Sequence, residues 1–284
     1  MDLQLADRYR FIDFLLMFKG GFMRLELVKR FGIGEATASR TIASFIAAYP
    51  NVIQYQGSRR GYTAHKGFAP EFKHDALAGL RYVAAGELVE QVDVVGYGVP
   101  SHKLQKTLDV TSVATITQAI VNRYLISIDY VSTTSGARRR NVVPHAVFEA
   151  GAAWYFRAFD TASTEFRTFK FCRINSVIVI GPTEQTSQDR DRDDSWNRMR
   201  VVRLIPHPKN PLPDAQVLDL GISDKESKEI LVSEACLGFL LTDFRVDCSR
   251  NHKLNYYEYP LALENRNELE SVESMGTAPG FKKI

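Results

Sequence analysis

Between Tyr124 and Ile180 the chain is cut into short apolar runs, at about 124–132, 139–144, 152–160, 166–171 and 176–180, separated by turn residues such as Ser135-Gly136 and Glu149-Ala150-Gly151. Runs of that length bounded by glycine and polar residues are strand-sized, and each is shorter than the roughly ten residues a helix needs. A helical pattern from Ser112, with Val113, Ile116, Ala119 and Ile120 on one face, precedes the first of them. One helix followed by five short strands predicts a small β-barrel of the SH3-like or Sm-like kind. The same stretch carries Arg138-Arg139-Arg140, Val143-Pro144-His145, Trp154-Tyr155-Phe156 and the run from Arg167 to Arg173. Arginines, a histidine and a tyrosine on an all-β unit, with no catalytic partner beside them, are chemistry for sensing an anion.

The N-terminal segment follows a different rhythm. A helix over about 7–19 places Phe11, Ile12, Leu15 and Leu16 on one face, and Gly20-Gly21 ends it. A second helix over about 24–31 buries Leu27, Val28 and Phe31, with Gly32 making the turn and Ile33 plugging the core below it. Gly34 serves as a soft N-cap for a third helix over about 35–49, in which Ala38, Ile42, Phe45 and Tyr49 form the buried stripe. The opposite face carries Ala36, Thr37, Arg40, Ala43 and Ser44, and Ser39 can reach the backbone. Small residues around one arginine suit a major groove, where the guanidinium can meet a guanine edge or a phosphate. Two β-like runs, 52–56 and 61–64, then flank Gly57-Ser58-Arg59-Arg60, so Arg59 and Arg60 stand at the tip of a wing fit for a minor groove or phosphates. Helix, helix, helix and hairpin in that order predict a winged helix-turn-helix that binds double-stranded DNA.

Charge segregates in agreement with this reading. Residues 1–66 hold ten Lys/Arg against five Asp/Glu and residues 112–182 eight against four, whereas 67–111 hold four against six and 183–284 fourteen against eighteen. The net +3 of all 284 residues therefore averages two basic modules with two acidic ones, and local positive charge is what phosphate binding uses. Apolar residues at 45% and charged residues at 24% place the chain among globular proteins, with enough length for two or three domains. No run is long enough for a membrane span, and the charged first twenty residues lack a signal-peptide pattern, so the expected location is the cytoplasm, with no membrane partner. Cys172, Cys236 and Cys248 have no CxxC spacing and are expected as buried free thiols. No paired-carboxylate motif, metal-ligand cluster, nucleophile elbow or phosphate loop is present, so no catalytic residue, metal or cofactor is expected. A nucleic-acid-processing enzyme and an RNA-binding accessory protein are the competing readings.

The remaining segments are less marked. A helix near 75–92, with Leu77, Leu80, Val83, Ala84 and Leu88 at helical spacing, reads as a connector, and Gly96-Tyr97-Gly98 as a turn. The charged run 189–194 lacks the glycine and the bidentate glutamate of a calcium loop and reads as a linker or exposed turn. Beyond it, a strand at 199–206, a proline-rich turn at 207–213, a helix within 227–242 and strands at 244–248 and 255–259 suggest an α+β unit. Tyr256, Tyr257 and Tyr259 are candidate interface aromatics, and the tail from Ser271 is expected to be loose.

The central segment resembles a WYL domain, whose Trp-Tyr-Leu triplet reads Trp154-Tyr155-Phe156 here. With a winged helix before it and an extension after it, the chain is similar to WYL-domain transcriptional regulators, especially the dimeric repressors associated with bacterial phage-defence operons. The resemblance implies an α+β multidomain protein: a winged helix-turn-helix at 1–66, a helical connector at 67–111, a WYL barrel at 112–188 and a C-terminal dimerisation unit at 189–284. It implies a homodimer that places two reading helices on an inverted-repeat operator, and a nucleotide or oligonucleotide effector held by the barrel. The positions matching the family's basic pocket are Ser132, His145, Tyr155, Arg167 and Arg173, with Lys170 as a sixth candidate. Strand alternation puts Arg167, Phe169, Phe171 and Arg173 on one face unless a bulge or turn intervenes. Arg138-Arg139-Arg140 could be a solvated turn, part of the pocket or a second nucleic-acid contact.

Overall fold

A computed structural model describes residues 3–86, 107–151, 153–183, 185–222 and 227–282. The chain forms two compact units, Met1–Val147 with Phe156–Glu184, and Phe148–Tyr155 with Gln185–Ile284.

The first unit opens with α1 (Leu3–Lys19), β1 (Gly21–Phe22), α2 (Arg24–Phe31), α3 (Glu35–Ala48), β2 (Ile53–Tyr55) and β3 (Tyr62–Ala64). This is the winged helix-turn-helix order. A surface helix would bury one stripe, yet every residue from Phe11 to Phe18 in α1 is buried. Four helices pack on it, α2, α3, α4 (Ala76–Ala85) and α5 (Val110–Asn122), so the expected single face is replaced by burial all round. Gly32 takes φ +60 and ends α2, as its place in the turn requires. The wing has strand order β1-β3-β2, with Gly21 opposite Thr63 and Ile53 opposite Ala64. A Cβ on Gly21 would collide with the Tyr62 carbonyl, so this edge pairing needs glycine.

The connector is tied down by a residue the periodicity did not mark. Asp13 is fully buried in α1, where its carboxylate accepts from the backbone N–H groups of Glu71 and Phe72 at 3.1 Å and from His74 Nε2 at 2.8 Å. Asp75 caps α4 by accepting from Ala78 N, and Gly86 closes it at φ +75. The rest of the expected 75–92 helix and the Gly96-Tyr97-Gly98 turn lie outside the described residues. The Gln118 and Asn122 side-chain amides of α5 donate to the Met17 and Lys19 carbonyls at 2.6 and 2.9 Å, satisfying two of the orphan acceptors at the end of α1.

The strands β4 (Tyr124–Ser132), β5 (Gly136–Ala150), β6 (Ala153–Asp160), β7 (Glu165–Lys170) and β8 (Ile174–Pro182) form one sheet in the order β7-β6-β5-β4-β8. β4 is antiparallel to β5 and β8, and its pairing with β8 shifts register at Leu125/Ile126 and Asp129/Tyr130. Ile126, Ile128, Tyr130, Val142, Phe156, Phe169 and Phe171 are all buried, with Phe156 stacked on Phe169 at 5.2 Å. β5 continues past Pro144, where a strand end was expected. The β4 ladder stops at Val142, so the N–H that proline lacks removes no bond to that neighbour.

In the second unit, α6 (Asp194–Asn197), β9 (Met199–Pro206), α7 (Asp214–Leu220), β10 (Lys228–Ser233), α8 (Glu234–Asp243), β11 (Val246–Asp247) and β12 (Leu261–Leu263) build a sheet of order β10-β9-β12-β11 with helices around it. The helix expected within 227–242 is α8, and it is preceded by a strand in which Ile230-Leu231-Val232 pairs with β9, since β-branched residues in such a run favour a pleated surface. No strand forms at 255–259, where the Tyr256 and Tyr257 rings meet at 4.3 Å in a tilted pair within a turn. The charged run is compact: Asp193 is buried and caps α6 through Trp196 N, while Arg190 lies over the Trp196 ring at 5.7 Å. The tail from Ser271 is docked, with Val272, Met275, Ala278 and Phe281 in the same core as Leu237 and Leu241. Arg266 fastens it by lying 4.6 Å from the Phe281 ring centroid and donating to the Lys282 carbonyl. Cys248 is buried, and burial pushes its thiol up to about 12, whereas Cys172 and Cys236 are partly exposed.

Candidate nucleic-acid interface and effector site

The exposed face of α3 is laid out by its buried stripe. Ala38, Thr41, Ile42 and Phe45 are buried, and Tyr9 packs edge-on to Phe45 at 5.2 Å, which fixes the helix rotation. Ala36, Arg40, Ala43 and Ser44 are therefore exposed together, with Thr37 and Ser39 half-buried at the edge. Arg40 makes a long contact of 3.3 Å to the Thr37 hydroxyl, which leaves the guanidinium available. Ser39 does not turn to the backbone as expected. It accepts from Arg24 Nη1 at 3.1 Å, while Arg24 Nη2 pairs with Glu35 at 2.6 Å. Ser44 meets the Tyr9 hydroxyl at 2.6 Å, so it braces the helix as well as facing solvent.

Arg24 is the cation that sequence reasoning missed on this surface. It opens α2 and reaches the first turn of α3, a neighbourhood that only the turn at Gly32 creates. At the wing, Gln56 N donates to Gly61 O and Gly61 N to Gly57 O, both at 2.8 Å, closing a tight tip. Arg59 and Arg60 project from it, exposed and without a hydrogen bond or ion pair among the described residues.

The six expected effector positions do not converge on one spot. Ser132 closes the β4–β5 turn, accepting from Thr134 N and Ser135 N. Tyr155 stacks on Phe148 at 5.3 Å and packs on Phe239 at 4.9 Å, an aromatic cluster of the second unit. Arg167 is exposed and pairs with Glu165 at 2.6 Å, on the strand parity of Phe169. A 3-10 turn at Phe171–Arg173 interrupts the parity that grouped Arg167 with Arg173, and both phenylalanines stay buried. Lys170 lies on the other face of β7, with Phe166 and Thr168. His145 packs edge-on to Phe166 at 5.6 Å, and Lys170 N donates to the Tyr130 hydroxyl.

The same face includes a further cation. Arg157 is buried to 7% exposure and donates to the Thr168 hydroxyl at 3.3 Å, so His145, Arg157, Thr168 and Lys170 mark one polar face of the sheet. The arginine triplet divides. Arg140 pairs at 2.5 Å with Asp160, which is fully buried, and Arg139 pairs with Asp129, leaving Arg138 exposed. The bonds from Arg139 and then Ser176 hold the Asp129 carboxyl below its ordinary range, and the same pairing raises Arg139. Among the described residues no group of three or more His, Cys, Asp or Glu is placed to hold a metal, and no helix is long and apolar enough to cross a membrane.

Comparison with known proteins agrees with this layout. The BrxR transcriptional regulator winged helix-turn-helix domain matches residues 4–82, and the WYL domain matches residues 111–179. The DNA-binding transcriptional repressor CapW of Escherichia coli (strain KTE188) is 26% identical over 275 residues, spanning 93% of this chain and 90% of that protein. The CapW repressor of Pseudomonas aeruginosa is 28% identical over 278 residues with the same coverage. Proteasome accessory factor B/C (PafBC) of Arthrobacter aurescens is a solved structure 15% identical to this chain, which covers only 46% of its length. Its TM-score of 0.27 carries no structural argument.

Proposed function

The chain is a WYL-domain protein with a BrxR-type winged helix-turn-helix at its N-terminus, and on that premise we propose that it is a DNA-binding transcriptional repressor. The observation that carries this reading is the exposed face of α3 next to a wing tip bearing two unengaged guanidiniums. Small side chains let α3 approach base edges, Arg24 and Arg40 flank them, and Arg59 and Arg60 take phosphates or a minor groove. The repressor names of relatives that span nine-tenths of this chain support the same conclusion.

Finer parts of the reading rest on chemistry and resemblance. The five-stranded sheet with two register shifts suits an SH3-like or Sm-like barrel. On it, the face with His145, Arg157, Thr168 and Lys170 is the best-formed place for a nucleotide or oligonucleotide effector. Of the positions that the resemblance implies, His145 and Lys170 belong to that face, whereas Ser132, Arg167 and Arg173 do not. The C-terminal unit dimerises the protein, two copies of α3 read an inverted repeat in a phage-defence operon, and effector binding changes operator affinity.

Gel-shift titration of the promoter fragment upstream of the chain's own operon tests the reading. The expected result is a salt-dependent complex that is lost in the R59Q/R60Q variant and retained in R157Q, which should instead lose its response to oligonucleotides. Degradation of the fragment, or equal affinity for unrelated duplexes at physiological salt, would overturn it.

A further inference from the structure

A second candidate site, separate from the polar face of the sheet, runs along the wing from its tip to its root. A cleft of about 960 Å³ opens where the wing meets the end of α5 and the start of β4. That volume is within the range of about 300–1,000 Å³ typical of small-molecule sites. Its walls include Arg59, Arg60, Phe68, Gln118, Asn122 and Tyr124. The acid on this surface, Glu26, is already engaged: it pairs with Lys19 at 2.5 Å and accepts from Met23 N and the Tyr82 hydroxyl. The two arginines are not engaged by any described residue. The amide nitrogens of Gln118 and Asn122 are held by the α1 carbonyls, which turns their carbonyl oxygens into the available hydrogen-bonding groups. One wall is thus cationic, and the rest offers ring faces and amide acceptors.

Paired guanidiniums match phosphate, aromatic faces match a base, and amide oxygens accept from exocyclic amino groups. We propose that this wing-root cleft binds a nucleotide, with its phosphates on Arg59 and Arg60 and its base against Phe68 and Tyr124, and that nucleotide and DNA compete for the two arginines. The competition rests on the DNA-binding reading of the wing; the nucleotide site does not. Because the same guanidiniums cannot serve both ligands, a nucleotide at ten times its own dissociation constant should weaken duplex affinity about tenfold.

ADP is a suitable first probe, titrated calorimetrically into the full chain, with adenosine as the phosphate-free control. Duplex affinity is followed in parallel by fluorescence anisotropy at low salt. Val121 lines the cleft from α5 and is 44% exposed, so charge can be changed there with little effect on packing. V121E should weaken ADP binding at least tenfold and leave duplex affinity without ADP within twofold, whereas V121K should not weaken ADP. R59Q/R60Q should lose both ligands. ADP binding indifferent to V121E and to R59Q/R60Q, equal binding of adenosine, or no ADP binding at millimolar concentration would overturn the site. If R59Q/R60Q lost ADP but kept its duplex affinity, the DNA-binding role of the wing and the competition would fall while the nucleotide site stood.

Discussion

Replacing Asp13 with alanine probes what orders the connector against the helix-turn-helix core. The carboxylate is fully buried and accepts three bonds, two from the Glu71 and Phe72 amides and one from His74. A hydrogen bond to a charged group contributes about 1.5–3 kcal/mol, and a buried donor left without its partner costs about 1–3 kcal/mol. Glu71 is exposed and Phe72 half-buried, so water can reach part of this segment, and about 1 kcal/mol for each amide is the appropriate end of that range. With His74 included, D13A should lose about 3–5 kcal/mol, a large share of the roughly 5–15 kcal/mol that holds a domain together. D13N keeps the shape and one acceptor oxygen but turns an NH₂ toward a donor, and should fall between wild type and D13A.

Hydrogen exchange is the direct assay, because a loss of 4 kcal/mol lowers amide protection about a thousandfold where the same opening governs exchange. The Glu71 and Phe72 amides should lose protection first, followed by those of α1. Unchanged protection at these two amides in D13A, with a urea midpoint close to wild type, would refute the claim that this carboxylate fixes residues 71–74.

Three further outcomes are expected. R40A should weaken the tightest duplex by about 1–3 kcal/mol if the guanidinium reads a base, measured by anisotropy against a panel of single-base changes; equal affinity for all of them would show that α3 does not read sequence. Burial pushes Asp247 upward, but bonds from Ser249, Leu254 and His207 outweigh it and hold the carboxyl below its ordinary 3.8. Its stabilisation is therefore complete above that value and vanishes as pH falls through the lower folded value, so the stability gap between wild type and D247N, followed by circular dichroism, should close in acid rather than widen. G238A should destabilise the second unit by about 1–3 kcal/mol in thermal unfolding, since the added methyl would run into the Ser274 carbonyl.

The parts of this fold that could be read from sequence are those in which one period decides one face. The stripe Ala38, Ile42, Phe45 identified α3 and hence its exposed side, and Gly32 marked the turn before it. Asp13 escaped because it is a charged residue inside an apolar pattern, made tolerable by partners 58 to 61 residues away in sequence. The effector positions dispersed for a related reason. Alternation assigns a face only while a strand continues, and the 3-10 turn at Phe171–Arg173 resets it. The C-terminal tail is instructive in the opposite sense. Leu269, Val272, Met275, Ala278 and Phe281 recur every third residue, all are buried, and each backbone N–H from Val272 onward bonds to the carbonyl three residues earlier in the same series. Threefold spacing is the 3-10 period, and a search for periods of 3.6 and 2 passes over it as loop.

The helix α5 links the sheet to α3 through α1. At Arg123 the chain turns through φ +57 and enters β4 at Tyr124, so α5 and the sheet are joined with no slack. Over its last two turns, the same helix holds the Met17 and Lys19 carbonyls through Gln118 and Asn122. β4 therefore cannot shift along its axis unless α5 carries α1 with it or these bonds break, at about 1 kcal/mol each. Moving α1 moves Tyr9, which bonds to Ser44 and packs on Phe45, and so changes where α3 presents Arg40. A ligand on the sheet acts by this route only if it binds the two α5 positions with different affinity, and the difference sets the largest change in DNA affinity it can cause.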